Sequence, residues 1–292
     1  MNHFLQNRVV IVTGAGRGIG RAVAVELAAQ GATLMLAART RAELDETAGL
    51  LRRRGACCRV LPTDVSSTRE VEKLVQMTLA EFGQIDGLVN NAGIQGPIGP
   101  LVANDTARWR RTLEVNLLGA MLSMQSVLPH MMGRRQGKIV NLSGGGAAAG
   151  RAGFSAYAAS KAALVRLTET VAEELRSFNV QVNAVAPGAA NTRMLEEILQ
   201  AGKAAGTELE VARQQAERGA SAEVAAQLIA WLLSAASGTL SGKLISALHD
   251  DWRGWTARDL VHLSATSWLT LRRMDAHTIR PLADELTAGG AP

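Results

Sequence analysis

The sequence predicts an α/β protein built on a doubly wound parallel sheet, and three observations support this prediction. Residues 8–13 (RVVIVT) form a short apolar, β-branched run, which is typical of a buried parallel strand. Glycines and then a helical pattern follow this run at once. Further short apolar runs at residues 33–38 and 57–61 alternate with helical patterns over residues 41–54 and 68–82, which indicates successive βα units.

Composition restricts the class of protein. Apolar residues make up 47% and charged residues 20% of the 292, as in a globular protein. The formal net charge of +5 comes mostly from scattered arginines without a polybasic run, so we expect an anionic cofactor or substrate and no nucleic acid. No apolar run approaches the ~20 residues of a membrane span, and the chain starts in a strand, so we expect no membrane segment and a cytoplasmic protein.

The length and the absence of a Pro/Gly/Ser-rich linker favour one domain over residues 1–248, followed by an extension over residues 249–292. The extension holds three of the five tryptophans. One interpretation is that it packs across a cleft or onto a neighbouring subunit, where its tryptophans stack on a ring and its arginines bind an anion. The other is a structural tail buried against the domain. His249, Asp250 and Asp251 lack further ligands at suitable spacing, so we expect no metal.

The glycine motif at residues 13–20 (TGAGRGIG) predicts a phosphate site. Glycines at positions 14, 18 and 20 allow the backbone of Gly14 and its neighbours to approach a pyrophosphate closely. The helix start at Gly18, Ile19 and Gly20 offers free N–H groups and the positive end of the helix dipole. The alternative is an ordinary strand-to-helix turn.

The second predicted strand ends at Ala38 and Arg39, where the adenosine ribose lies in a doubly wound sheet. A carboxylate there would accept hydrogen bonds from the ribose 2′-hydroxyl and repel a 2′-phosphate, but this chain has an alanine followed by an arginine. A second arginine, Arg17, lies in the glycine turn. Two guanidinium groups near one phosphate form charge-assisted contacts, so we predict that NADP(H) is preferred over NAD(H). The alternative is that Arg39 is a solvated surface residue.

Polar residues further along the chain are also candidates. Asp64, followed by Val65, either accepts a hydrogen bond from the adenine amino group or caps the helix that starts near Ser67. Asn116 lies in an apolar helix predicted over residues 105–130 and must form hydrogen bonds if it is buried.

Residues 141–161 hold the only tyrosine of the chain, Tyr157, four positions before Lys161. A helix from about Ala156 places both side chains on one face. A phenol with a pKa near 10 is a poor acid or base at neutral pH, and a neighbouring cation brings that pKa towards the working range. The pair therefore predicts a general acid/base, although the spacing alone recurs by chance on helices.

Taken in order, these motifs resemble those of the short-chain dehydrogenase/reductase family. The similarity covers about residues 5–247, and it rests on TGAGRGIG at 13–20, NNAG at 90–93, Asn116, Tyr157 with Lys161, and Pro187-Gly188 with Thr192 following. The resemblance implies a single Rossmann-type doubly wound sheet of about seven parallel strands with helices on both faces. It also implies NAD(P)-linked hydride transfer to or from the carbonyl or secondary alcohol of a small molecule, in a homotetramer or homodimer.

The resemblance assigns roles to individual residues. Tyr157 is expected to exchange a proton with the substrate oxygen, Lys161 to hold the nicotinamide ribose and lower the pKa of Tyr157, and Asn116 to anchor a water in the proton relay. The adenosine and ribose side is expected to be lined by Asn90, Ala92 and Gly93, and the nicotinamide side by Pro187, Gly188 and Thr192.

One position departs from the family pattern. The usual catalytic serine lies thirteen residues before the tyrosine, where this chain has Gly144, and Ser143 lies one residue earlier. Alternation along a strand directs Ser143 elsewhere, although the glycines at 144–146 permit a local shift of the backbone. Three alternatives remain open. Ser143 or a backbone N–H takes the role, Ser155 or a substrate hydroxyl takes it, or the chain is a nucleotide-binding sensor or assembly partner with little catalysis.

Loops are expected to set the choice of substrate. Residues 191–219 are helical and charged, as in a mobile flap over a cleft. Gln95, Arg151 and Arg193 are the candidate polar groups in an otherwise apolar pocket.

Overall fold

The computed structural model describes residues 4–188, 192–218 and 222–273. These residues contain one sheet of seven parallel strands in the order β3-β2-β1-β4-β5-β6-β7, with helices packed on both faces. The strands are β1 Val9–Thr13, β2 Thr33–Ala38, β3 Cys58–Pro62, β4 Gly87–Asn90, β5 Gly137–Leu142, β6 Val180–Ala186 and β7 Leu244–Ser246. The predicted α/β fold with a doubly wound parallel sheet is confirmed.

The helices follow the strands in alternation over most of the chain. They are α1 Gly18–Ala29, α2 Arg41–Arg53, α3 Thr68–Phe82, α4 Thr106–Leu113, α5 Gly119–Arg134, α6 Ser155–Glu174, α7 Arg193–Ala201, α8 Glu208–Arg218, α9 Glu223–Leu233 and α10 Ala257–Ala265. In the part of the chain that the structure describes, none of them is both long and apolar enough to cross a membrane.

The long helix predicted over residues 105–130 is interrupted by a change of helical pitch. Its start is capped by Asp105, whose side chain accepts a hydrogen bond from the Arg108 N–H at 2.7 Å. Between α4 and α5, Glu114–Leu118 forms a π-helical turn that contains Asn116. Such turns inserted in α-helices are frequent at functional sites, and a 3.6-residue pattern does not reveal them.

Alternating strand side chains build the core on both faces of the sheet. Val10 and Val12 of β1 pack with α1 and α9 on one face, while Ile11 packs with α3 and α5 on the other. Successive side chains of a strand point to opposite faces. Because helices cover both faces, β1 is apolar on both of its faces, which explains its unbroken apolar run from Val9 to Val12.

The strand order reverses at β1, which pairs with β2 on one side and β4 on the other. In open parallel sheets, ligands bind outside the carboxyl ends of the strands at such a switch point. Thr13 ends β1 and Asn90 ends β4 at this place, so the glycine turn and the NNAG turn both open into the same crevice.

The described part of the C-terminal extension covers the edge strand β7. Leu244 of β7 donates its N–H to the carbonyl oxygen of Leu269 at 2.7 Å. Trp252 is buried, with its ring centre 5.9 Å from that of Trp231 on α9. An uncovered edge strand invites pairing with other chains, so these contacts protect it. Residues 274–292 lie outside the described residues, and the boundary between domain and extension stays a prediction.

Candidate active site

The glycine turn after β1 is held tightly against the end of β4. Gly14 has a φ angle of +64°, which favours glycine. A Cβ atom added at Gly20 would overlap the Gly14 carbonyl oxygen, and one added at Gly14 would lie 2.7 Å from the Asn91 amide nitrogen. Asn91 Nδ2 donates to the carbonyl oxygens of Thr13 at 3.0 Å and Gly14 at 3.1 Å. The turn therefore has a shape that only glycines permit, and α1 begins beside the crevice.

A cavity of about 520 Å³ lies along the carboxyl ends of the central strands. It brings together residues from motifs that are far apart in the sequence. The predicted site residues that line it are Gly14, Arg17, Gly18, Ile19, Gly20, Arg39, Asp64, Val65, Ala92, Gly93, Ser143, Tyr157, Lys161, Pro187 and Thr192. A cleft of this shape, with a glycine turn and a helix start on its wall, fits a dinucleotide.

Two residues expected to face the cofactor, Asn90 and Gly188, lie outside the lining of this cavity. Asn90 Nδ2 donates to Asn141 Oδ1 at 2.8 Å, so its buried amide joins β4 to β5. A side chain at position 188 would overlap Leu248, so Gly188 permits a packing contact. Asn91, the residue after Asn90, lines the cavity, and its side chain fastens the glycine turn. The NNAG motif does not show which of its two adjacent asparagines faces the cleft, because this depends on the residue at which β4 ends.

The carboxylate of Asp64 accepts hydrogen bonds from other side chains of the protein. Arg111 Nη2 donates to Asp64 Oδ2 at 2.6 Å, and Ser66 Oγ donates to Oδ1 at 2.7 Å. Burial raises the pKa of this carboxyl, but the hydrogen bonds from Ser66 and Arg111 outweigh burial and lower the pKa below its usual value. Ser67 is the helix cap, since its Oγ accepts from the Glu70 N–H at 3.4 Å. The capping alternative for Asp64 is therefore wrong.

Arg17 and Arg39 both line the cavity beside the glycine turn and the end of β2, at its predicted ribose end, but they differ in their partners. Arg39 is exposed and forms no ion pair with any residue that the structure describes. Arg17 Nη1 donates to Glu43 Oε1 at 2.7 Å, and Arg193 Nη2 lies 3.4 Å from the same oxygen. No sequence motif indicated a role for Glu43, because it lies 26 positions from Arg17 along the chain. Less positive charge is therefore available to an anionic group than two free arginines would supply.

Tyr157 and Lys161, one turn apart on α6, form one buried wall of the cavity. Lys161 Nζ donates to the Leu142 carbonyl oxygen at 2.7 Å and lies 5.7 Å from the centre of the Tyr157 ring. Burial lowers the pKa of Lys161 to about 8. Burial also raises the pKa of Tyr157, and the Arg151 guanidinium partly offsets that rise. The resemblance implies that Lys161 lowers the pKa of Tyr157, whereas in this structure the opposing charge is that of Arg151.

Asn116 lies outside the cavity lining and holds three elements together. Its Oδ1 accepts from the Ile94 N–H at 2.8 Å, and its Nδ2 donates to the Ile94 carbonyl oxygen at 2.9 Å. The same Nδ2 donates to Ser160 Oγ at 3.0 Å, directly before Lys161. The expectation that a buried asparagine here forms hydrogen bonds is confirmed. The π-helical turn, the NNAG turn and α6 are thereby fixed relative to one another.

Gly144 lies directly against the hydroxyl group of Tyr157. An ideal Cβ atom at position 144 would overlap Tyr157 Oη and lie 3.2 Å from Cζ. Ser143 is buried and lines the cavity, and its Oγ has no hydrogen-bond partner among the described residues. Ser155 Oγ already accepts from Trp109 Nε1 at 3.1 Å. Of the two nearby serines, Ser143 is therefore the one whose hydroxyl is available at the cavity.

The predicted flap over residues 191–219 consists of α7 and α8 joined by a short 3₁₀ turn, with its first and last residues outside the described ranges. Leu195 and Ile198 of α7 pack with Phe154 in an apolar cluster that includes Tyr157. The flap therefore covers the tyrosine side of the cavity with apolar side chains.

The three candidate polar groups of the pocket have different surroundings. Gln95 is buried, and its Nε2 has no partner within the described part of the chain. Arg151 Nε donates to Glu208 Oε2 on α8 at 2.8 Å, which fastens the flap to the loop before α6. Arg193 is directed to Glu43 at the ribose end, away from the role expected for it.

Comparison with known proteins identifies the family. Residues 8–203 match the family model described as short chain dehydrogenase. The cis-4-hydroxycyclohexanecarboxylate dehydrogenase of Sinomonas cyclohexanicum is 38% identical over 247 residues, which cover 84% of this chain and 97% of that protein. The levodione reductase of Leifsonia aquatica is 38% identical over 192 residues, or 65% of this chain and 72% of that protein. The crystal structure of NAD⁺-bound xylitol dehydrogenase matches with a TM-score of 0.78 at 29% identity, covering 83% of this chain and 98% of that one.

The site and the comparisons agree on the class of protein. The relatives are named as dehydrogenases and reductases, so the comparisons do not support a nucleotide-binding sensor with little catalysis. The cavity provides a glycine turn, a helix start and a buried tyrosine–lysine pair in one cleft. The chain therefore belongs to the short-chain dehydrogenase/reductase family and is an NAD(P)-dependent oxidoreductase that acts on carbonyl or alcohol substrates.

Proposed function

We propose that this protein is an NADP(H)-dependent oxidoreductase of a small carbonyl compound or secondary alcohol, with Tyr157 as general acid/base. The observation that carries the proposal is the position of the Tyr157 side chain, which lines the cavity one helical turn from Lys161 and against the bare backbone of Gly144. Its hydroxyl forms no hydrogen bond with a described residue and is therefore available to a substrate oxygen. In reduction it gives its proton to that oxygen, and in oxidation it takes the proton back.

The residues of the cleft fit a dinucleotide. The glycine turn and the start of α1 would hold the pyrophosphate, and Lys161, which donates one hydrogen bond to Leu142, has further N–H donors for the nicotinamide ribose. The bound nicotinamide supplies the hydride. The preference for NADP(H) rests on Arg39, a cation at the ribose end without an ion-pair partner among the described residues, and on Ala38, which stands where a carboxylate would repel a 2′-phosphate.

Ser143 supplies the hydrogen bond that the usual serine makes to the substrate oxygen. A buried hydroxyl without a partner is costly, and binding a substrate oxygen would satisfy it. Loss of one such donor typically lowers turnover by about 10² to 10³. Asn116 acts on the proton relay by fixing the π-helical turn and α6 beside Lys161.

The substrate is a small, largely apolar molecule, and we infer a cyclic ketone or alcohol. The flap presents Leu195 and Ile198 next to Tyr157, while the buried amide of Gln95 and the guanidinium of Arg151 are the polar groups nearby. The names of two relatives refer to a hydroxycyclohexane carboxylate and to levodione. The protein is further proposed to be a cytoplasmic homodimer or homotetramer.

The test combines cofactor binding with turnover. NADPH and NADH are titrated into wild type and Tyr157→Phe, and a panel of cyclic ketones and alcohols is followed at the nicotinamide absorbance. Tyr157→Phe should bind NADPH like wild type and lose turnover, since the ring still packs against the flap. Ser143→Ala should lose about 10² in kcat, while the matched control Ser155→Ala retains it. Tight NADPH binding without turnover on the panel, or full activity of Tyr157→Phe, would overturn the proposal.

A further inference from the structure

We propose that Glu43 is a specificity-determining residue, which restrains the preference for the 2′-phosphorylated cofactor by holding Arg17. This inference rests on the proposed function, because it requires a dinucleotide in the cavity. It concerns the ratio between the affinities for NADPH and NADH and not the chemistry at Tyr157.

Glu43 is built into the ribose end of the cleft. It lies in the first turn of α2 and lines the cavity, and its side chain is 24% exposed. Its Cβ atom lies 2.8 Å from an ideal Cβ at Gly16, so it packs against the backbone of the glycine turn. Its Oε1 accepts from Arg17 at 2.7 Å and lies 3.4 Å from Arg193 Nη2. The carboxylate is thus held in one place by packing and by two guanidinium groups.

The charges around Glu43 act differently on the two cofactors. A 2′-phosphate carries about −1.5 to −2 charges at pH 7. It is attracted to Arg39, which has no ion-pair partner in the described part of the chain, and repelled by Glu43, and Arg17 binds it fully only after leaving Glu43. The free 2′-hydroxyl of NADH is neutral, so Glu43 does not repel it and Arg17 need not leave Glu43 to accommodate it. Glu43 therefore weakens NADPH binding more than NADH binding.

The same carboxylate also joins the cofactor site to the flap. Arg193 is the first residue of α7, and Glu43 is its partner across the ribose end. When a 2′-phosphate draws Arg17 away, Glu43 keeps its contact with Arg193. The contact between Arg193 and Glu43 therefore does not oppose the transfer of Arg17 from Glu43 to the phosphate. The single ion pair that the phosphate must break is that between Arg17 and Glu43.

Glu43→Gln tests the inference because it retains the packing against Gly16 and removes the charge. Titration of the cofactor-free protein should show a Kd for NADPH that is lower on the order of tenfold, the scale of one unit-charge interaction at a partly exposed site. The Kd for NADH should change by less than about threefold. The gain should shrink at high ionic strength because screening weakens the repulsion.

Glu46→Gln is the matched control. Glu46 lies on the same helix and pairs with Arg21 at 2.8 Å, but it does not line the cavity. The Glu46→Gln substitution removes the same charge from α2, and it should leave the ratio of the Kd values for NADPH and NADH unchanged. An equal gain in Glu46→Gln would overturn the proposal, since the effect would then come from net charge alone.

A double variant tests the route through Arg17. In Arg17→Gln, adding Glu43→Gln should give a clearly smaller gain than in wild type, because it then removes only the direct repulsion by Glu43 and releases no Arg17 guanidinium. A full tenfold gain in that background would overturn the proposal. Binding of both nucleotides by wild type, with an unchanged ratio in Glu43→Gln, would refute the role of Glu43 and leave the proposed function intact. Binding of neither nucleotide by wild type would refute the proposed function and this inference together.

Discussion

Replacing Gly144 with alanine should displace the hydroxyl group of Tyr157 while leaving the fold intact. The added Cβ would lie 3.2 Å from Tyr157 Cζ and 3.3 Å from Cε1, and it would overlap Oη. To reach ordinary contact, the hydroxyl must retreat by roughly 1 Å, and a misplacement of that size costs on the order of 10² in turnover. Overpacking of one methyl group also lowers the free energy of unfolding by about 1–3 kcal/mol, which a domain of this size tolerates.

The assay is kcat for the best substrate of the panel, measured beside urea unfolding of the same preparations. Gly145→Ala is the control, because a Cβ at position 145 meets only the Arg151 side chain, at 3.8 Å or more. We expect kcat to fall about 100-fold in Gly144→Ala and by less than about threefold in Gly145→Ala. Wild-type kcat in Gly144→Ala would refute the reasoning, since the position of the hydroxyl would then not depend on the bare backbone. Equal losses in both variants would attribute the effect to the loop as a whole.

Two further predictions concern stability. Because the pKa of Lys161 is lowered to about 8, the folded state binds fewer protons than the unfolded state above that pH, so the free energy of unfolding should rise by about 2 kcal/mol from pH 7.5 to 9.5 on this account. Lys138, whose pKa is also lowered to about 8, contributes a similar rise, so Lys161→Met should retain about half of the rise that the two lysines cause; an unchanged rise in urea unfolding would contradict this. Trp252→Ala should cost about 3–5 kcal/mol of unfolding free energy, since Trp252 is buried and does not line the cavity. Urea unfolding beside kcat checks this, and a loss of turnover with unchanged stability would instead favour a substrate-binding role for the extension.

Interactions between residues close in the chain were predictable from the sequence. The four-residue spacing of Tyr157 and Lys161 placed them on one helix face, and both line the cavity. The glycine turn was equally predictable from the sequence, because a positive φ such as that of Gly14 favours glycine whatever surrounds it. The spacing of apolar residues in strands and helices likewise predicted the sheet, since this spacing depends only on residues that are close in the chain.

The sequence by itself thus determined the fold class, the cleft at the ends of the strands and the tyrosine–lysine pair. Tertiary structure alone decided which charged side chains of that cleft pair with one another. Arg17 meets Glu43 across 26 positions and Asp64 meets Arg111 across 47, so no local pattern records either pair. It also decided that a side chain at Gly144 would point at the tyrosine hydroxyl. The physical reason is that helices and parallel strands bring distant residues together through their packing, and the order of residues along the chain does not specify that packing locally.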